Sequence, residues 1–227
     1  DIVVDTASNP RTITITYNGN NCLVNRTRTG VVKISMAQNV RWKNAGAVIT
    51  VTFQNLKITR LSDNKSITIN GTETYTNVSG GLLFNLVALG TITHTITSNN
   101  MSVTFDNGSQ RNWQVARRRV FTYNNGIVIT CTGTHTEGNI TGVAEWGTNR
   151  FGNTFTTAIT QALVVRQDCS FRLTTGKVEH KTALFNAAVT FGLDATGAPI
   201  ACPVGVYYLK VAWTGPSGIP RTVILPY

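Results

Sequence analysis

The chain has 227 residues and a net charge of +10, with 41% hydrophobic but only 13% charged residues. This composition excludes a disordered tail, and the length suits one large all-β domain or two small ones. No helix-turn-helix pattern, zinc-finger spacing or RNA-binding signature is present, so the positive charge does not indicate a nucleic-acid partner. No apolar run approaches the roughly 20 residues of a membrane-spanning helix.

Alternating apolar and polar residues predict half-buried antiparallel strands along most of the chain. The clearest segments, in chain order, are GAVITVTFQ (46–54), GTITHTITS (90–98) and NTFTTAITQALVV (153–165). Segment 80–90 has leucines at helical spacing, but a buried strand or a covering loop fits it equally well. Asn-Gly pairs predict type I′ turns between strands, because both residue types tolerate positive φ. These pairs stand at 18–19, 70–71, 107–108 and 125–126.

The predicted fold class is all-β, an antiparallel hairpin meander that forms one large curved sheet or a sandwich. No linker rich in proline or serine divides the chain, so residues 1–227 are assigned to a single domain. The similarity between GAVITVTF and GIVITCTG allows two similar β units, with halves near 10–90 and 91–190.

The strongest candidate for a binding site is the segment RNWQVARRRVFTY at 111–123. On a strand, both of its faces mix arginines with apolar residues, which predicts either a bulge or a charged edge strand. The functional interpretation is a platform for an anionic glycan or a lipid head group, with a tryptophan as stacking surface. The alternative is a solvated strand. The candidate ligand-binding residues are Arg111, Trp113, Arg117, Arg118 and Arg119.

Motifs for catalysis are weak. Glu137 and Glu145 stand near His135 and Trp146 in sequence and form a candidate carboxylate pair, although solvated hairpin residues are the alternative. The three histidines have no metal-ligand spacing, and no G-x-S-x-G motif occurs. The sequence therefore predicts no enzyme, no metal and no cofactor.

Cysteine spacing points to an oxidising compartment. None of the four cysteines forms a CxxC pair, which argues against structural zinc, and an even number at wide spacing is typical of disulfides. Two of them share strand parity with apolar neighbours, so buried free thiols are the alternative. We expect one disulfide and leave a second open. The candidates are Cys22, Cys131, Cys169 and Cys202.

Several segments resemble a family of secreted lipoproteins from Bacteroidetes-type bacteria. They include ITITYNGNNC (13–22), GAVITVTFQNLKIT (46–59), GTETYTNVSG (71–80) and RFGNTFTTAITQALVVRQDCSFRLTTGKVEH (150–180). The resemblance runs from about Ile13 to Val223. It implies an all-β fold and a membrane tether on a lipidated N-terminal cysteine absent from this sequence, but no activity. The family's acidic closing segment is replaced here by FGLDATGAPIACPVG (191–205), which keeps only Asp194.

The predicted function is a non-catalytic binding or scaffold role at the cell envelope, in the periplasm or at the cell surface. Its expected partners are an anionic glycan, a lipid head group or an envelope protein, with membrane contact only through the lipid anchor. One alternative is a glycan-active hydrolase that uses Glu137 and Glu145; another is a purely structural envelope component, which long exposed strand edges would indicate. The tripeptide at 5–7 resembles a bacterial O-glycosylation signal, which makes Thr6 a candidate acceptor.

Overall fold

The computed structural model describes residues 1–20, 23–202 and 205–227. Within these ranges the all-β prediction is confirmed, since fifteen antiparallel strands account for most of the structure. The strands are β1 (Ile2–Asp5), β2 (Arg11–Asn20), β3 (Arg26–Met36), β4 (Ala47–Arg60), β5 (Ser66–Asn77), β6 (Thr91–Phe105), β7 (Gln110–Tyr123), β8 (Ile127–Gly133), β9 (His135–Glu137), β10 (Ile140–Thr148), β11 (Thr154–Arg166), β12 (Arg172–Thr182), β13 (Asn186–Leu193), β14 (Tyr208–Thr214) and β15 (Pro220–Pro226). No helix in the described ranges is long and apolar enough to cross a bilayer.

The chain divides into two compact units, and β6, β7 and β10 contribute residues to both. Unit 1 comprises Asp1–Gly80, Thr95–Val115 and Gly147–Asn153. In it, β1 to β5 are paired in chain order as antiparallel hairpins. Its core is a cluster of buried residues with aromatic and aliphatic side chains packed around it. The cluster contains Ile96, Met101 and Val115, and its surrounding residues are Phe53, Ile69, Tyr75 and Trp113.

Unit 2 comprises Gly81–His94, Ala116–Trp146 and Thr154–Tyr227. Strands β11 to β15 are paired in chain order, while β8 pairs with both β7 and β11, and β9 pairs with β10. Its buried cluster contains Leu86, Ile92 and Phe121, with Ile127 and Ile129 packed against it.

Two of the four Asn-Gly pairs lie between strands as predicted, although only Gly108 of the pair at 107–108 has a positive φ, so that turn is not type I′. The other two turn predictions are wrong. The pairs at 107–108 and 125–126 connect β6 to β7 and β7 to β8. The pair at 18–19 lies inside β2, and the pair at 70–71 lies inside β5. A Cβ atom on Gly71 would lie 2.5 Å from the carbonyl oxygen of Asn100, so this glycine permits a close approach of backbones rather than a turn.

Segment 80–90 adopts the helical alternative rather than a strand. A 3-10 turn at Leu83–Asn85 is followed by the short helix α1 (Leu86–Leu89). Leu86 is buried in the core of unit 2, whereas Phe84 and Val87 are exposed. The segment therefore covers one side of the core with a single leucine.

One disulfide is present among the described cysteines, as expected. It joins Cys169 to Cys202, whose Cα atoms are 5.1 Å apart. Cys131 is a free, half-buried thiol on β8, so the structure does not support it as a disulfide residue. Cys22 lies outside the described residues.

Candidate functional site

The arginine run lies on an interior strand. In the strand order, β7 has β6 on one side and β10 on the other, and its second half pairs with β8. The register from Arg117 opposite Gly133 to Tyr123 opposite Ile127 is continuous. The edge-strand interpretation is therefore wrong, and no bulge interrupts the β8 pairing at the three arginines.

The arginines of β7 have different environments. Arg117 forms an ion pair with Glu145, and both side chains are partly buried. Arg119 is half-buried opposite Cys131, and Arg118 is exposed on the other face of the strand. Two of the three consecutive guanidiniums are thus half-buried, which leaves Arg118 as the solvent-facing member of the run.

The other two predicted ligand-binding residues lie in unit 1. The guanidinium carbon of Arg111 is 4.9 Å from the ring centroid of Trp113, a cation–π arrangement. The indole is also packed against the core of unit 1. Trp113 is therefore held in one orientation, and Arg111 lies over its ring.

His94 lies half-buried beside the arginine run, with its ring centroid 4.8 Å from that of Phe121. Burial and, to a smaller extent, the charge of Arg119 lower the pKa of His94 below its usual value. In the unfolded chain this imidazole titrates near its ordinary pKa of about 6.5. Below that pH the unfolded state takes up a proton that the folded state does not, so folding is disfavoured.

We therefore expect the free energy of unfolding to fall as the pH drops through about 6.5 towards the lowered pKa of folded His94. Urea denaturation at a series of pH values measures this slope. The His94→Gln variant should show a flatter dependence. If the free energy of unfolding of wild type and variant changes equally with pH, His94 is not the cause of this pH dependence.

The two candidate catalytic carboxylates are each engaged elsewhere. Oε2 of Glu137 lies 3.0 Å from Nε2 of His135, whereas Glu145 forms an ion pair with Arg117. Ile140 lies opposite Glu137 and is five residues from Glu145. A register shift lies between Ile140 and Val143, and each of the two carboxylates has its own partner.

The three histidines each lie against a different aromatic ring of unit 2, and His135 and His180 are stacked on theirs. His135 lies 3.8 Å from Trp146, measured between ring centroids, and His180 lies 5.3 Å from Phe155. One cluster of metal-ligand residue types does occur among the described residues, at Asp168, Cys169 and Cys202. Its sulfur atoms form the disulfide and its carboxylate is paired with Arg166, so the cluster does not offer a metal donor set.

Thr6, the candidate glycosylation residue, is exposed after β1. Just before it, the Asp5 carboxylate accepts hydrogen bonds from the backbone N–H groups of Ala7 and Ser8 at 2.9 and 3.1 Å. Hydrogen bonds from Ser8 and then Ala7 lower the pKa of Asp5. The candidate acceptor thus lies within an ordered turn and is accessible to solvent.

A basic pocket in unit 1 combines residues that are distant in sequence. Its volume is about 330 Å³. Among its described lining residues, four carry positive charge, one carries negative charge and three are apolar. The lining consists of Arg26, Ile58, Arg60, Lys65, Ser66, Ile67, Phe105, Asp106 and Arg150.

Strand register brings the first two arginines of this pocket together. Arg26, the first residue of β3, lies directly opposite Arg60, the last residue of β4. Like charges at opposed positions of an antiparallel pair disfavour each other. An anion bound between the two guanidiniums would offset that repulsion.

The β4–β5 hairpin holds the third cation at the pocket. The backbone N–H of Arg60 donates to the carbonyl of Lys65 at 2.9 Å. The Asp63 carboxylate accepts from Nε of Arg60 at 2.8 Å, and this hydrogen bond lowers the pKa of Asp63 to about 2. Asp63 is therefore ionised at neutral pH, and it orients Arg60 and offsets part of its charge and of the Arg26–Arg60 repulsion.

The fourth cation is positioned by aromatic rings. The guanidinium carbon of Arg150 lies 4.2 Å from the centroid of Phe105 and 5.6 Å from that of Phe151. A turn closed by the hydrogen bond from the Asn149 N–H to the Asn153 carbonyl, 2.8 Å long, carries Arg150. Asp63 thus orients Arg60 and two aromatic rings position Arg150, and guanidinium groups bind carboxylate, sulfate or phosphate through paired hydrogen bonds.

Sequence reasoning missed this pocket because its cations occupy positions 26, 60, 65 and 150. Their convergence depends on the register of β3 against β4 and on the turn that carries Arg150. The arginine run at 117–119 is a stronger signal in sequence, although it is less concentrated in space.

Comparisons of this chain with protein-family models, with curated proteins and with solved structures found no match. The resemblance to secreted lipoproteins therefore stays a prediction.

Proposed function

We propose that this protein is a non-catalytic binding protein that captures the anionic group of a ligand in the basic pocket of unit 1. The observation that carries the proposal is the pairing of Arg26 with Arg60 across two neighbouring strands. Lys65 and Arg150 line the same pocket. Several cations that line one pocket can contact a single anion together.

The chemistry shared by the expected ligands is a carboxylate, sulfate or phosphate group. An anionic glycan and a lipid head group both supply such a group. Ile58, Ile67 and Phe105 also line the pocket and add apolar contact area for the ligand. The pocket therefore accounts for the charged part of the ligand. An experiment has to distinguish an anionic glycan from a lipid head group.

Placement at the cell envelope is part of this proposal. The disulfide between Cys169 and Cys202 supports it, because disulfides persist in oxidising compartments and are rare in the cytosol. A purely structural role is less well supported. The strand order ends at β1, with four residues, and at β15, which is flanked by Pro220 and Pro226, and short or proline-flanked edges discourage strand addition.

The test is a comparison of wild type with the Arg26→Ala/Arg60→Ala variant. The probes are dextran sulfate, polygalacturonate, and vesicles of phosphatidylglycerol or of phosphatidylcholine. Wild type should bind a sulfated or carboxylated glycan or the phosphatidylglycerol vesicles, and the affinity should fall with added salt. The affinity of the variant for the same probe should be at least about tenfold lower, since the variant lacks two charge-assisted contacts.

A charge-matched control separates this pocket from general electrostatics. Arg118→Ala/Lys181→Ala removes two exposed positive charges from unit 2 and should bind as wild type does. If the control binds the anionic probe more weakly and the Arg26→Ala/Arg60→Ala variant does not, the anion site lies at the arginine run instead. Equal loss in both variants, or no binding to any anionic probe, would refute the proposed site.

A further inference from the structure

We infer that unit 1 carries a second binding site, which takes an uncharged sugar. The site is a pocket of about 390 Å³ formed by β6, β7 and the end of β10. None of its described lining residues is charged. Its polar lining consists of Asn99, Asn100, Ser102, Asn112, Gln114 and Thr148.

The lining has the chemistry that sugar hydroxyls require. A side-chain amide offers a carbonyl acceptor and an NH₂ donor, and a hydroxyl both donates and accepts. Neighbouring hydroxyls of a sugar ring present the same mixture, so four amides and two side-chain hydroxyls can pair with them. An ionic ligand would find no opposite charge in this pocket to compensate its desolvation.

One amide is oriented before any ligand arrives. The Oδ1 atom of Asn100 accepts a hydrogen bond of 2.9 Å from the backbone N–H of Thr72 on β5. This bond engages the carbonyl oxygen of the amide within the protein and leaves its NH₂ group to donate to a ligand. A preoriented donor loses little entropy when it binds.

The walls of the pocket are rigid for two independent reasons. A Cβ atom on Gly147 would lie 2.2 Å from the carbonyl oxygen of Asn112, so this position brings two backbones into contact. Trp113 lines the pocket and is also packed against the buried cluster of unit 1. Because side chains alternate along β7, Asn112 and Gln114 lie on the face of the strand opposite the Trp113 indole, and their amides form the polar surface that sugar hydroxyls would contact.

This site is separate in chemistry from the basic pocket, and the inference does not depend on the proposed function. Anion capture relies on charge and weakens with salt, whereas hydrogen bonds from neutral amides to hydroxyls are nearly insensitive to it. Salt therefore distinguishes the two sites in a single preparation of the protein.

The test is calorimetric titration with neutral oligosaccharides of glucose, mannose, xylose and N-acetylglucosamine, at low and at high salt. Wild type should bind at least one of them with an affinity that salt leaves unchanged. The Asn112→Ala/Gln114→Ala variant should bind it about thirtyfold more weakly, because it lacks two side-chain hydrogen bonds.

Two comparisons complete the experiment. Gln54→Ala/Asn18→Ala removes two exposed strand amides of unit 1 outside the pocket and should bind as wild type does. Arg26→Ala/Arg60→Ala should also keep sugar binding, whatever happens to anion binding. Failure of wild type to bind every neutral oligosaccharide, or equal affinity of wild type and the Asn112→Ala/Gln114→Ala variant, would overturn the inference.

Discussion

Replacing Gly192 by Ala is expected to lower the free energy of unfolding by at least about 3 kcal/mol, a loss at the upper end for single substitutions. Gly192 lies in β13 with φ +78°, and an added Cβ would lie 1.9 Å from the carbonyl oxygen of Thr174 on β12. The obstacle is backbone within a hydrogen-bonded strand pair, so no side-chain rotation relieves it. The β12–β13 pairing must open for the new methyl group to fit.

Gly152→Ala is the matched control for this substitution. Gly152 has a φ of +81°, yet nothing lies within 4 Å of an added Cβ atom. It therefore carries the cost of a left-handed backbone, about 1–2 kcal/mol, without the clash. Urea denaturation of both variants measures the difference. Equal losses would show that the β12–β13 backbones are not as close as described.

Removal of the disulfide is expected to produce the second large loss, about 3–4 kcal/mol in the loop-entropy model for a closed loop of this length. Cys169 and Cys202 are separated by 33 residues, so their bond restricts a long segment of the unfolded chain. Cys169 is also buried, which places the bond against packed structure. The variant Cys169→Ser/Cys202→Ser, compared with oxidised wild type in urea, measures the effect.

Cys131→Ser serves as the control for the disulfide experiment. Cys131 is a free thiol on β8, and its replacement removes no cross-link. Its loss of stability should be clearly smaller than that of the double variant. A loss as large as that of Cys169→Ser/Cys202→Ser, or a stability of the double variant equal to wild type, would contradict the assigned bond.

Period-two alternation was sufficient to predict the fold class, because half-buried strands require it. GAVITVTFQ lies within 46–54, and β4 begins at Ala47. Turn chemistry was less informative. Asn70-Gly71 has the composition of a hairpin turn, but Gly71 is needed inside β5 where the backbone of Asn100 approaches it. A contact between residues so far apart in sequence leaves no local signal.

The candidate sites depend even more on contacts between residues that are far apart in sequence. Arg117 pairs with Glu145, a partner 28 residues away, whereas its neighbour Arg118 is exposed on the other face of the strand. The basic pocket depends on the opposition of Arg26 and Arg60, which only the strand register defines. Residue types alone predicted an anionic ligand, whereas the proposed place of binding follows from the paired strands.

The central claim is that an anion binds between the guanidiniums of unit 1, and an NMR titration with inorganic phosphate tests it most directly. Assigned arginine Nε–H signals report which side chains contact the anion. We predict saturable changes at Arg26, Arg60 and Arg150, the three arginines that line the basic pocket. Changes confined to the arginines at 117–119, or no saturable change at any arginine, would contradict the account.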